Sequence, residues 1–288
     1  MGNTSKINNN ESATLLTNLK RSFGGRGSNF SMFSKIFNVD TILIGPVGKD
    51  FNSTGYSSYL ENAKIDTRGL FKSEVFTTPS SFVFNGKKAS RIFFHGEILD
   101  KEGIAFKKHA ISVMEQTKYE ILYCTTGVQE INESALFKSK AYLNSYSPGH
   151  EIGYNSVKSL SYCLNYTDIL FLNQNESFIL QRKFHKSIPE ILCDFKVKIG
   201  IVTLGRNGSR LYLSGKNVKI PAIRAQREIS TAGAGDAYAG AFVANYLKRN
   251  DAEYSAKIAS ATASFVVEEL GCQNNIPDMK KILQRLKV

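Results

Sequence analysis

The sequence predicts a doubly wound three-layer α/β/α domain that carries a small β lid. Three observations predict it. Beyond residue 100, short apolar runs alternate with helical patterns, which marks βαβ units and a parallel sheet. Residues 75–96 read as a hairpin, with two β-rich runs flanking Asn85-Gly86, a pair favoured in type I′ turns. The chain has 288 residues, 42% of them hydrophobic, which is enough for one large core and sets a single domain over 1–288 as the expectation.

The elements follow in order. Residues 1–22 are polar and show no convincing strand. A glycine-rich turn, Gly24-Gly25-Arg26-Gly27, leads into a helix over 29–37. A strand over 41–45, a loop over 46–50 and a helix near 54–63 come next. After the hairpin, helix 102–116 precedes strand 119–124, and helix 131–138 precedes strand 141–145. Helix 154–165 precedes strand 168–172. Helix 175–182 and a further helical stretch precede strand 197–203. A second hairpin-like stretch covers 210–221. Helices near 235–249, 252–269 and 277–287 close the chain.

Composition excludes several classes. No apolar run approaches the roughly 18 residues that span a bilayer, and the first residues lack the apolar core of a signal peptide. The expectation is a cytoplasmic protein with no membrane partner. Cys124, Cys163, Cys193 and Cys272 are scattered without a Cys-x-x-Cys pair, so neither a disulfide framework nor a metal cluster is expected. The formal net charge is +12, but the basic residues are dispersed and form no run, so nucleic acid is not the expected partner. Such a surface attracts anionic substrates equally well.

The most informative stretch is Gly233-Ala234-Gly235-Asp236, followed by a run of small and apolar residues to Phe242. At a helix start, free backbone N–H groups point outward and the dipole is positive. Glycine lets a phosphate approach that backbone closely. Asp236 in the first turn is either an ordinary acidic residue at a helix N-terminus or a general base beside an anion hole. Phosphoryl transfer runs mainly on such positioning and electrostatics. No Gly-x-x-x-x-Gly-Lys-Ser/Thr loop exists, and the glycine spacing is not that of a dinucleotide fingerprint.

These residues resemble the C-terminal signature of the ribokinase-like (PfkB) kinases, whose members phosphorylate sugars and nucleosides. Four further motifs fall in that family's order. Gly24-Gly25-Arg26-Gly27-Ser28-Asn29 resembles its Gly-Gly-Lys-Gly-x-Asn element. Gly45-Pro46-Val47-Gly48-Lys49-Asp50 resembles the strand and loop after it. Asn173-Gln174-Asn175-Glu176 fits its Asn-x-x-Glu motif. Thr203-Leu204-Gly205, with Gly208 downstream, resembles its nucleotide-side loop. The resemblance implies Asp236 as catalytic base and the N–H groups of Gly233, Ala234 and Gly235 as anion hole. It implies Thr203, Gly205 and Gly208 beside ATP, with Asn173 and Glu176 organising the phosphates and Mg²⁺, Glu176 through water. It implies Gly24, Gly25 and Asn29 at the acceptor. For Asn173 and Glu176 a helix N-cap with its capping-box partner fits the spacing equally well.

The same resemblance implies lid segments near 11–23 and 75–96, through which two copies of the chain pair as a homodimer. Two departures stand out. The family's first apolar strand, which ends in an acidic residue, is apparently missing here, and Ser230 stands where many members carry Asp. The expected function is an ATP-dependent kinase acting on a hydroxyl of a nucleoside or sugar. Ser147-Pro148-Gly149-His150-Glu151 resembles archaeal nucleoside kinases in particular. The alternatives are a catalytically impaired nucleotide- or sugar-binding protein on the same fold, and a basic nucleic-acid-binding protein.

Overall fold

In the computed structural model the described residues are 2–3, 20–85, 90–95 and 102–287, and side-chain statements concern 20–81 and 102–287. A six-stranded sheet forms the centre. Its strands are β6 (Ile121–Cys124), β7 (Leu143–Tyr146), β8 (Ile169–Asn173), β9 (Ile199–Thr203), β10 (Ser209–Leu213) and β11 (Lys216–Ile220). They lie in the order β11-β10-β9-β8-β7-β6. Strands β6 to β9 are parallel, as crossover helices require, and β9, β10 and β11 pair antiparallel.

Strand β8 shows why its sequence is an unbroken apolar run. Successive side chains point to opposite faces. Ile169 and Phe171 enter one core cluster, while Leu170 and Leu172 enter the other. The first face is covered by α1 (Arg26–Lys35), α8 (Ala234–Arg249) and α9 (Ala252–Val266). The second is covered by α3 (Gly103–Glu115), α4 (Gln129–Lys138), α5 (Val157–Leu164), α6 (Gln174–Phe184) and α7 (Ile188–Asp194). Two covered faces make a three-layer domain.

Helix α8 is central because its residues are small. Ala237, Ala241 and Ala244 are fully buried, and a Cβ on Gly240 would stand 2.5 Å from the Phe30 carbonyl of α1. That close approach seats α1 on α8, and Phe242 fills the sheet side with no exposure. Burying such a ring contributes about 1.5–3 kcal/mol. At its C-terminus Asn250 takes the left-handed conformation, and the next helix starts at once with Asp251 accepting from the Tyr254 N–H. Helix α10 (Met279–Leu286) closes the chain.

Away from the central sheet, β2 (Gly45–Val47) pairs with β3 (Leu70–Lys72), and α2 (Tyr56–Asn62) lies between them in sequence. Strands β4 (Ser80–Asn85) and β5 (Ser90–His95) form the expected hairpin, and β1 (Gly2–Asn3) pairs with β4.

Several expectations need correction. The strand expected at 41–45 is represented at Ile42 by a single bridge to Asp66, and regular pairing runs over Gly45–Val47 instead. Pro46 is thus in a strand, on an edge where its missing N–H costs nothing. Asn85 pairs with Ser90, and the turn expected at Asn85-Gly86 falls in the connection between them. The connection 86–89 and most of the expected lid segment 11–23 lie outside the described residues. The first helix starts at Arg26, three residues early, because Gly25 at φ 103° already turns the chain. Among the described residues, no strand before β2 joins the six-stranded sheet.

Candidate active site

Helix α8 begins where the glycines allow it. Gly233 caps it at φ 81°, and a Cβ there would meet Cys272 Cβ at 2.6 Å, so both backbone and packing demand glycine. Nothing lies within 4 Å of a Cβ built on Gly235, which leaves the first turn open on that side. Neither the Gly233 nor the Gly235 N–H is bonded to another backbone group among the described residues, whereas Ala234 donates to the Thr231 carbonyl at 3.3 Å. Two of the three expected anion-hole donors are thus free of the turn, and the third is engaged in a long bond.

Asp236 follows in the first turn, with its side chain 8% exposed. Its two oxygens have different donors. Arg26 Nε donates to Oδ1 at 3.0 Å and Asn29 Nδ2 donates to Oδ2 at 2.8 Å. Both donors come from the first turn of α1, which is why the early start of that helix matters. Arg26 also donates through Nη2 to Ser147 Oγ at 3.0 Å. A Cβ on Gly149 would stand 1.7 Å from the guanidinium, so the segment from Ser147 to Glu151 lies against Arg26 and glycine there makes room. Burial alone would lower the Arg26 pKa. The negative field of Asp236, then of Tyr123 and Glu176, offsets this, and the net shift is upward.

A second layer fixes Asn29. Gln273 Nε2 donates to Asn29 Oδ1 at 2.8 Å and reaches Ser28 Oγ at 3.2 Å. The amide of Asn29 is therefore oriented with its nitrogen toward Asp236. Ser28 Oγ contacts the carbonyls of Gly24 and Gly25, and Tyr56 Oη lies at hydrogen-bonding distance from Gly24 O and Ser28 Oγ. Tyr56 stacks on Phe23 with ring centroids 4.7 Å apart, which gives this end of the site an aromatic wall. Burial pushes the Tyr56 hydroxyl up to about 12.

Asn173 and Thr203 are register partners at the C-terminal ends of β8 and β9, the edge at which open α/β sheets bind ligands. Asn173 caps α6 in a complete capping box. Its Oδ1 accepts from the Glu176 N–H at 2.9 Å, and Glu176 accepts from the Asn173 N–H at 2.9 Å and from its Nδ2 at 2.7 Å. Glu176 is buried, and desolvation raises its pKa. The Asn173 N–H and the charge of Arg26 act in the opposite direction, while Asp236 adds to the rise. Asp236, Arg26 and Glu176 thus share one electrostatic field across the sheet edge. Gly205 takes φ 56° just beyond Thr203. Gly208 is set by packing, since a Cβ there would lie 2.1 Å from the Ile220 carbonyl.

The structure brings together Asn29, Gly233, Ala234, Gly235 and Asp236, with Gly24 and Gly25 backing them. It sets Asn173, Glu176, Thr203 and Gly205 along the adjoining strand ends. Sequence reading assigned no role to Arg26, Ser147 or Gln273. Arg26 had a signal, an ion-pairing residue amid three glycines, but Gln273 had none. Among the described residues no three His, Cys, Asp or Glu side chains converge as metal ligands. Both Glu176 oxygens accept hydrogen bonds yet keep spare lone pairs, a donor set that fits Mg²⁺ held through water and phosphate rather than by the protein directly. Among the described residues no helix is long and apolar enough to cross a membrane.

Residues 2–279 match the pfkB family carbohydrate kinases. The chain is 32% identical over 290 residues to a nucleoside kinase of Methanocaldococcus jannaschii, covering 99% of this chain and 92% of that protein. The crystal structure of that kinase superposes with a TM-score of 0.87 over 99% of this chain and 93% of the other. A Burkholderia thailandensis nucleoside kinase in complex with inosine also superposes at 0.87, at 17% identity and with 99% and 93% coverage. Arabidopsis thaliana ribokinase complexed with ribose and ATP reaches 0.76, at 20% identity and with 100% and 95% coverage. The last two similarities establish the fold.

Proposed function

The chain belongs to the pfkB family of carbohydrate kinases, phosphotransferases whose acceptor is an alcohol group, and from that premise we propose that it transfers the γ-phosphoryl group of ATP to a hydroxyl of a nucleoside. One observation carries the reading. Asp236 stands in the first turn of a helix opened by Gly233 and Gly235, with both oxygens oriented by donors from α1.

In this reading Asp236 accepts the proton of the attacking hydroxyl, using a lone pair not taken by Arg26 or Asn29. The N–H groups of Gly233 and Gly235, joined by Ala234 once it leaves the turn, hold the charge of the phosphoryl group in flight. Arg26 stays protonated beside them and adds positive charge where phosphate oxygens gather. Asn173, Glu176, Thr203 and Gly205 line the nucleotide side. Glu176 would hold Mg²⁺ through a water, and the ion would supply charge neutralisation of the phosphates. Gly24, Gly25 and Asn29 bound the acceptor. The Phe23–Tyr56 stack beside them suits a flat nucleobase better than a free sugar. The binding-only alternative has no specific observation in its favour.

The domain is read as one unit with the β4–β5 hairpin as lid. Pairing of two copies through that hairpin, and residence in the cytoplasm where ATP is plentiful, belong to the same proposal. Light scattering that gives a single monomer mass at high concentration would remove the dimer. The test of function is phosphoryl transfer from Mg·ATP to a panel of nucleosides and sugars. Nucleoside-dependent ADP release is expected. Transfer to sugars alone would redirect the acceptor, and silence across the panel would overturn the kinase reading.

A further inference from the structure

The irregular segment after α9, residues 267–275, touches the active site at three points. Val267 O accepts from the N–H groups of Ile229 and Ser230, at 2.7 Å and 3.2 Å. Cys272 packs against Gly233, where an added Cβ would stand 2.6 Å from the Cys272 Cβ. Gln273 holds Asn29 in the orientation that faces Asp236. One segment thus supports the loop that enters the anion hole, the cap of α8 and a donor to the base.

That loop, 221–230, depends on hydrogen bonds. Residues 221–229 are exposed or half-buried, so apolar packing anchors them weakly. Ile223 N–H donates to Ser260 Oγ at 3.3 Å, and Gln226 N–H donates to Glu268 Oε1 at 2.7 Å. Together with the two bonds to Val267 O, these tie the loop to α9 and the segment after it. Arg227 Nε adds a bond to the Glu268 carbonyl at 3.0 Å.

The Glu268 carboxylate is held in turn by α10. Ile282 seats that helix in the core with no exposure, and Arg285 lies three residues on, along the same face. The Arg285 Cζ stands 3.3 Å from the centre of the Phe265 ring. Its Nη1 donates to Ser264 Oγ at 3.1 Å and pairs with Glu268 Oε1 at 2.9 Å, while Nη2 donates to Oε2 at 3.3 Å. Asn275 Nδ2 donates to Phe265 O at 2.7 Å and reaches Glu268 Oε2 at 3.4 Å. The side chains are 12% and 8% exposed for Arg285 and Glu268. Donors on every side fix the carboxylate in one orientation. Without the guanidinium, Glu268 is a buried charge lacking its counter-ion. Turning it toward water would release Gln226.

We propose that Arg285 is a positioning residue for phosphoryl transfer. Arg285 fixes Glu268, Glu268 fixes Gln226 and the 267–275 segment, and these set the anion-hole loop and Asn29 together. The proposal rests on the kinase reading and adds no contact with either substrate. Asn173, Glu176, Thr203 and Gly205 follow β8 and β9 instead, so nucleotide affinity should not share the effect.

The test compares the full-length parent with Arg285→Ala and Arg285→Lys, each well below its melting temperature. The readouts are kcat, calorimetric ATP affinity and amide exchange at Gln226 and Ser230. In Arg285→Ala, kcat should fall about tenfold or more, ATP affinity should stay within about threefold, and both amides should exchange about tenfold faster. Guanidinium chloride at about 10 mM should restore part of the lost kcat, and equal sodium chloride should not, because only the planar ion refits the slot between Phe265, Ser264 and Glu268. Arg285→Lys keeps the charge but not the two-edged geometry, and should lose about threefold in kcat; it carries the test if the alanine variant does not fold. A folded variant with parental kcat would overturn the inference. So would a lowered melting temperature with kcat per folded molecule and Gln226 exchange both unchanged, which would make the pair a stabilising contact alone. A parent that transfers no phosphate to any acceptor would defeat the kinase reading itself, and this inference with it.

Discussion

Asp236→Asn replaces one acceptor oxygen by an NH₂ group inside a pocket where both neighbours are donors. Arg26 Nε and Asn29 Nδ2 each point at a carboxylate oxygen, at 3.0 Å and 2.8 Å. Asn29 cannot flip to relieve this, because Gln273 Nε2 already donates to its Oδ1. One buried donor is left facing another, at a cost of about 1–3 kcal/mol. The ion pair with Arg26 is lost as well. The Arg26 side chain is 27% exposed and keeps Ser147 as acceptor, so the total should stay below the roughly 3–5 kcal/mol seen when a fully buried pair is broken. At about 2–4 °C per kcal/mol for a chain approaching this size, the melting temperature should fall by about 4–10 °C. Turnover should fall further than stability explains, by about 10²–10⁴-fold, because the proton acceptor is gone. The assay is nucleoside-dependent ADP release from Mg·ATP, with calorimetric ATP binding and thermal unfolding alongside. ATP affinity should change little. A variant that is stably folded and turns over within tenfold of the parent would refute the assignment of Asp236 as base.

Arg26→Lys should fail to rescue what Arg26→Ala loses, because one ammonium cannot reach Asp236 and Ser147 in the planar geometry the guanidinium uses; equal kcat for Arg26→Lys and the parent would show that charge alone suffices. Asn173→Ala should cost about 1 kcal/mol of stability from the lost cap, whereas Asn173→Asp should keep the cap and raise the KM for Mg·ATP. An unchanged KM in the Asp variant would leave the cap as the whole role of Asn173. Burial and the nearby Asp236 charge push the Cys272 thiol up to about 11, so it stays protonated at neutral pH. With iodoacetamide at pH 8, mass spectrometry should find the exposed Cys193 alkylated well before Cys272; preferential labelling of Cys272 would contradict that environment.

The alternation of apolar runs and helical patterns determined the parallel sheet, because a strand covered on both faces must be apolar at every position, as Ile169 to Leu172 are. The helix opened by Gly233 was equally legible. Positive φ and a first-turn carboxylate are local demands, answered by residues adjacent in the chain. The capping box of Asn173 and Glu176 spans three residues and was readable for the same reason. What the sequence left open depends on distance along the chain. Arg26 and Asp236 are 210 residues apart, and Gln273 and Asn29 are 244 apart. No periodicity links such pairs, and their meeting follows only once Gly240 lets α1 settle on α8. A strand's own residues state that it pairs, but whether its second edge finds a partner is decided by what the folded chain brings alongside.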